Sequence, residues 1–271
     1  MSLDGIRWWH DLTRSEAAEA VRVDPVVVLP LAAIEQHGPH LPLSTDADIG
    51  RGILEEAFRR LDPDGPDVYA LPMVQVGTSD EHLGVAGTLS VSPHTLEETV
   101  VGIGSSLAEA GVRRLVLSNS HGGNRATLDL AALRLRRSRR MLVVKAHSFR
   151  FPPPDDVALP ESEWTHGLHG GAVETALMLH LRPDAVRADR ISQFVSLGED
   201  LEQALDHVAP EGAAAFAWLS GDLNPRGVVG NATLADPAMG ERLLEAYGAF
   251  LARVLQDAAI FPLGRLASKG R

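Results

Sequence analysis

Cysteine is absent from the 271-residue chain. That removes disulfides, thiolate metal sites and cysteine nucleophiles together. Positive charge is in deficit: 25 lysines and arginines against 36 acids give a formal net charge of −11. Such a surface repels phosphate backbones, so no nucleic-acid partner is expected. Long apolar runs are also missing. The run from Val26 to Ile34 falls far short of the roughly 20 residues that cross a bilayer. Met1 to Trp9 carries no apolar signal core. No membrane partner is expected, and a cytoplasmic location fits these absences. Several catalytic signatures are lacking too. There is no His-Glu-x-x-His, no Gly-x-Ser-x-Gly elbow and no phosphate loop, and Gly102-Ile103-Gly104 lacks the third glycine of a dinucleotide fingerprint.

What is present reads as an α/β protein. Hydrophobic residues make up 45% of the chain, enough for a substantial core, and the whole of 1–271 is expected to form one domain. Strand-like runs at Val26–Ile34, Val68–Val76, Arg113–Ser118 and Met141–Ala146 alternate with helical patterns. The helices are expected at Asp48–Arg60, from Ser92-Pro93 to Gly111, and over Asn124–Arg137, Gly171–Leu181 and Pro237–Leu255. This alternation predicts a mainly parallel sheet with helices on both faces. Phe151 to Asp156 and Gly221 to Asn231 interrupt it and read as long loops near a site. Trp8-Trp9 reads as a packing pair, and His10, His94, His147, His180 and His207 as structural or exposed.

Three motifs gather the side chains that carry chemistry. The first is Glu35-Gln36-His37-Gly38-Pro39-His40 with Asp46. It offers imidazole nitrogen and carboxylate oxygen, the donor mix of divalent hydrolytic metals. Residues i and i+2 of an extended chain face the same way, so Glu35 and His37 can share one site. Pro39 and Pro42 stiffen the loop expected to return Asp46. The second motif is Ser118-Asn119-Ser120-His121-Gly122-Gly123-Asn124, between a strand and a helix. His121 can complete a metal shell, and the backbone amides of the glycines can face an oxyanion. Taken alone, the segment also fits a helix-capping turn. The third is His166 to Thr175, where Glu174 sits early in an apolar helix and His169 precedes it. A buried carboxylate there needs a partner, although helix-dipole stabilisation of an exposed Glu174 fits as well. His169 suits acid–base work near neutral pH. A fourth segment, Gly77 to Gly84, follows a strand and brings Glu81 and His82 as candidate substrate contacts alongside Gly122, Gly123 and Asn124.

Charge balance supports a pair of ions. Two divalent cations are offset by Glu35, Asp46, Glu174 and one bridging anion from water, with His37 and His121 as neutral donors. Five protein ligands suffice for two ions only if one carboxylate bridges, and Asp46 is the choice for that bridge.

With these residues in place, the three motifs resemble the signatures of the creatininase (creatinine amidohydrolase) family, over about Trp9 to Leu255. The resemblance implies a three-layer α/β/α sandwich and a metal-dependent amidohydrolase with two divalent ions. These are Zn²⁺ or Mn²⁺, with Fe²⁺ also admitted. It implies a homo-oligomer, in many members a hexamer. It assigns Glu35, His37, Asp46 and His121 to ligand positions, Asp46 to the bridge and His169 to a catalytic histidine. The members that act on creatinine carry a glutamate two residues after the second-motif histidine, where this chain has Gly123. Glu174 is the replacement expected there, as ligand and catalytic group. Trp164 lies near the place of a substrate-covering tryptophan, at a different offset. The leading expectation is hydrolysis of a cyclic or formyl amide C–N bond in a small molecule by water that the ions activate. The alternatives are a peptidase that matures a modified precursor peptide (mycofactocin-type) and a non-catalytic metal-binding protein.

Overall fold

A computed structural model describes residues 5–266. Four strands, β1 (Val26–Leu31), β2 (Val68–Ala70), β3 (Arg114–Asn119) and β4 (Leu142–His147), form one sheet in the order β2-β1-β3-β4. Every pairing in it is parallel. Around it run α1 (Arg14–Arg22), α2 (Thr45–Arg59), α3 (Pro93–Ala110), α4 (Arg125–Arg139), α5 (Glu161–His166), α6 (Ala172–Leu181), α7 (Leu197–Glu202), α8 (Ser220–Leu223) and α9 (Pro237–Ile260). A separate two-stranded antiparallel ribbon pairs β5 (Gln193–Phe194) with β6 (Gly230–Asn231), against α5.

The period-2 alternation of strand side chains divides the core into two layers. Val26, Val28 and Val116 face α2, α6 and α9, where Ile53, Leu177 and Leu243 are buried against them. Val27, Leu29, Leu115 and Leu117 face α3 and α4, against Leu96, Val100, Leu128 and Leu135. The sheet is thus covered on both faces, the expected three-layer arrangement. Local signals set the helix ends. Ser92 accepts from Thr95 N at the start of α3, Pro93 occupies its first turn, and Gly111 closes it at φ 104°.

Some expected boundaries move, each for a local reason. The first strand stops at Leu31, because the chain then turns to pair Ile34 with Leu89 in antiparallel fashion. The second is only three residues long. Pro72 has no N–H to continue the ladder, and pairing resumes at a single bridge, Leu31 with Val74. The helix expected from Asp48 begins at Thr45, so Asp46 lies in the first turn of α2 rather than on the preceding loop. Asp48 accepts from Ser44 Oγ at 2.8 Å and does not cap the helix. Trp9 packs edge-on against Tyr69 at 5.7 Å, beside the outermost strand. No described helix is long and apolar enough to cross a membrane.

The loops leaving the C-terminal ends of the strands converge at one edge of the sheet. This is where ligands bind in open α/β sheets.

Candidate metal centre and active site

Glu35 and His37 lie just beyond β1 and are buried, with 1% and 0% exposure. His37 Nδ1 is 3.1 Å from the Glu35 carbonyl oxygen and donates to it, which leaves Nε2 turned inward. That nitrogen stands 3.4 Å from Asp46 Oδ1 and 3.8 Å from Glu174 Oε2. Asp46 is held in the first turn of α2, where helix-end N–H groups favour a carboxylate. Its own carbonyl accepts from Ser120 Oγ at 2.8 Å. From the end of β3, His121 donates Nε2–H to the Thr78 carbonyl at 2.7 Å. Its Nδ1 therefore faces Asp46 Oδ2 at 3.2 Å and Glu35 Oε1 at 3.4 Å. The two oxygens of Asp46 thus face two different histidines.

Glu174, the third residue of α6, receives Gly170 N–H at 2.6 Å on Oε2 and is partly exposed. His169 donates Nε2–H to the Gln36 carbonyl at 2.8 Å. Its Nδ1 is 3.7 Å from Glu35 Oε1. Glu81 Oε1 lies 3.7 Å from His121 Nε2, and His82 Nε2 lies 3.4 Å from Glu35 Oε1.

The electrostatics follow from crowding carboxylates out of water. Burial pushes Glu35 up to about 7 against the pull of His121, and burial raises Glu174 and Glu81 as well. Burial alone would lower His37 and His121. The Asp46 carboxylate lifts His37 to about 9, and Glu35 with Asp46 lifts His121 to about 10. For Asp46, burial is outweighed by His37 and His121, which hold its carboxyl below the usual range. His82 and His169 are driven down by burial and by the neighbouring His37.

The donor set fits a divalent metal. Glu35 Oε2, His37 Nε2 and Asp46 Oδ2 are buried and find no hydrogen-bond partner, a costly arrangement unless a cation supplies one. Three groups converge closely enough to hold an ion, with ligand atoms within 4.8 Å of one another: His37, Asp46 and Glu174; Glu35, Glu81 and His121; and Glu35, His37 and His169.

Most of the expected residues come together here. Glu35, Asp46, Glu81, His82, His121, Gly122, Gly123, His169 and Glu174 line one open cavity of about 670 Å³, and His37 lies behind them. Asn124 does not line it. Expected among the substrate contacts, it is fully buried and spends its amide on the loop scaffold. It accepts from Thr78 N at 2.9 Å and donates to Ala32 O at 3.1 Å and Asn119 Oδ1 at 3.0 Å. Gly123 also has a clear physical role. A Cβ there would stand 2.4 Å from Thr78 O and 2.5 Å from Glu81 Oε1, so no glutamate fits at this position while that loop is in place.

Three functional residues were not singled out from the sequence. Gln36 donates to His82 Nδ1 at 2.8 Å and to Gly227 O at 2.5 Å, tying the first motif to the Asn224–Gly230 segment. Thr78 fixes the tautomer of His121 through a backbone carbonyl, which no residue type reveals. Glu163, buried on α5, accepts from Ala172 N at 2.7 Å and Asn231 N at 2.6 Å. It anchors the start of the helix that carries Glu174. The sequence signal for it was an acid among turn residues, too common to stand out.

Comparison with known proteins agrees with this geometry. The family model described as creatinine amidohydrolase matches residues 10–255. A mycofactocin precursor peptide peptidase of Mycolicibacterium smegmatis is 32% identical over 220 residues, covering 81% of this chain and 79% of that protein. A creatinine amidohydrolase of Pseudomonas putida is 31% identical over 187 residues, 62% of this chain and 68% of that one. A solved manganese creatininase superposes with a TM-score of 0.72 at 26% identity, covering 94% of this chain and 99% of that one. Matched over nearly its whole length in sequence and in fold, the chain belongs to the creatininase family of amide-bond hydrolases.

Proposed function

We propose that this chain is a two-metal amidohydrolase whose substrate is a peptide, cleaved at an amide bond during maturation of a modified precursor. The observation that carries this reading is the paired donor set on the floor of a cavity of about 670 Å³. A small lactam would fill only a fraction of that space, whereas a segment of chain would occupy it. The mycobacterial peptidase relative, matched over 81% of this chain, supports the same choice. The small-molecule amide keeps two supports: Trp164 stands on the cavity wall, and a creatinine amidohydrolase is among the relatives.

In this reading Glu35, Asp46 and His121 would hold one ion, and His37, Asp46 and Glu174 the other, with Asp46 as the bridge. Divalent ions held there polarise a carbonyl and make water acidic near neutral pH. The chain supplies the rest. With Nε2–H committed to the Gln36 carbonyl, Nδ1 of His169 is the nitrogen that would take a proton and pass it to the leaving nitrogen, and the burial that lowers the ring's basicity favours its giving that proton up. The Gln36 carbonyl fixes the ring by holding Nε2–H. Glu174 and Glu81 lie at the rim of the same centre, and the Gly122 and Gly123 amides are the candidate donors to the developing oxyanion. Phe149, Phe151 and Trp218 give the cavity apolar walls for substrate side chains. Water adds across the C–N bond, giving a carboxylic acid and an amine.

The test is a panel of linear peptides, creatinine and formyl amides, incubated with Zn²⁺- or Mn²⁺-loaded protein with and without chelator. Peptide cleavage is expected, abolished by chelator and reduced about 10²–10⁴-fold in His169→Ala. Turnover of small amides with no peptide cleaved would favour the second reading. Bound metal with no turnover on any substrate would reduce the chain to a metal-binding protein.

A further inference from the structure

Beside the main cavity lies a smaller one of about 200 Å³, lined by Thr165, His166, Glu202, Pro210, Glu211 and Gly212. Thr165, Glu211 and Gly212 line both, so the small cavity branches from the wall of the large one. His166, at the end of α5, is only 2% exposed, yet neither ring nitrogen finds a hydrogen-bond partner. Glu202 Oε1 stands 3.1 Å from Nε2, off the line a hydrogen bond needs. Nδ1 lies against Gly198, where a Cβ would come within 2.8 Å. A buried imidazole without partners is costly unless a ligand completes it.

The carboxylates that line it are Glu202 and Glu211, and no described arginine or lysine lines it. Arg125, outside its wall, pairs with Glu211 at 3.6 Å. Among the described residues, Glu202 has no ion-pair neighbour except His166. Ala209 and Pro210 give the walls an apolar stretch. A metal ion is a poor occupant, because it needs several converging donors, and the described groups able to hold one do not include His166 or Glu202. An aliphatic stem with a cationic head suits both the walls and the carboxylates.

We infer that this side cavity is a binding subsite for a primary ammonium group on an aliphatic stem, as in a lysine side chain of the bound peptide. Glu202 takes the charge, and the His166 ring accepts one ammonium hydrogen. The inference rests on the peptide-hydrolase reading only in naming a peptide as the carrier, and its test requires no turnover.

The probe is n-butylammonium chloride, titrated calorimetrically into the metal-loaded protein at constant ionic strength, with 1-butanol as the uncharged isostere. The ammonium is expected to bind about tenfold more tightly than the alcohol, as a charge-assisted hydrogen bond predicts. Glu202→Gln, at a side chain that is 59% exposed and so unimportant for folding, is expected to remove that preference. Glu174→Gln at the paired centre is expected to leave it intact. A crystal soaked with the probe should place it beside His166. Equal affinity for amine and alcohol would overturn the inference, as would a preference that survives Glu202→Gln or a probe seated among Glu35, Asp46 and Glu174. Loss of peptide cleavage in the substrate panel would instead strike the peptidase reading and leave this site standing.

Discussion

Loading the metal-free protein with zinc should expel protons, and the number is set by the geometry. His37 Nδ1 and His121 Nε2 are tied to backbone carbonyls, so any additional proton sits on His37 Nε2 and His121 Nδ1, the atoms that face the carboxylates. Asp46 and its neighbours hold those protons up to about 9 and about 10. At pH 7.5 each ring is then more than about nine-tenths protonated, whereas unperturbed histidines would be only about one-tenth so. Ions that take these nitrogens should release about two protons per chain from the rings, against about 0.2 for ordinary histidines, and a metal-bound water that ionises would add about one to either figure. Glu35, raised to about 7, adds a fraction of a proton. Calorimetric titration of zinc in buffers of differing ionisation enthalpy reads this number directly. Release near the lower figure would refute the placement of both rings against the carboxylates. The same shifts set the pH dependence of the metal-free fold. A raised histidine contributes stability that is complete below its unfolded value near 6.5 and lost as pH climbs through its folded value. Glu35 acts in the same direction between about 4.5 and about 7. Chelator-stripped protein should therefore lose stability from neutral to alkaline pH, and bound metal should flatten that slope.

Three substitutions probe the site from other sides. Asp46→Ala should empty both ion positions and Glu174→Gln mainly one, read as metal per chain after dialysis. A Glu174→Gln protein with full metal content and full rate would return Glu174 to an ordinary helix position. Gly123→Ala drives a Cβ toward Thr78 O and His121 Nε2, so it should displace His121 and cost at least one ion. Retained stoichiometry would show that the loop yields easily. Glu163→Gln replaces a carboxylate that receives two backbone N–H groups with an amide that turns a donor toward one of them. A loss of about 1–3 kcal/mol in urea unfolding is expected, and no change would mean that α6 is anchored elsewhere.

The fold was largely legible because its signals are local. The continuous burial of Val26–Leu31, the Ser92-Pro93 start and the Gly111 end of α3 each follow from residue type and spacing. The ligand-type residues were legible for the same reason, being dense, polar and placed at strand ends. Three things were not. The position of Asp46 on a helix depends on where α2 begins, which Thr45 and Ser44 leave ambiguous in sequence. The inward turn of Asn124 depends on Ala32, Thr78 and Asn119, residues brought together only by the sheet. The segment after α6 contributes Gly227, Val228 and Val229 through backbone pairing and close packing against Gln36, Gly38 and His169. Such contacts between a backbone and distant side chains leave no periodic trace.

The proposed chemistry requires two ions sharing Asp46. Anomalous diffraction at the zinc edge, from crystals of the zinc-loaded protein, tests it most directly. Two peaks are predicted in each chain, one among Glu35, Asp46 and His121 and one among His37, Asp46 and Glu174. A single peak, or density away from Asp46, would contradict it.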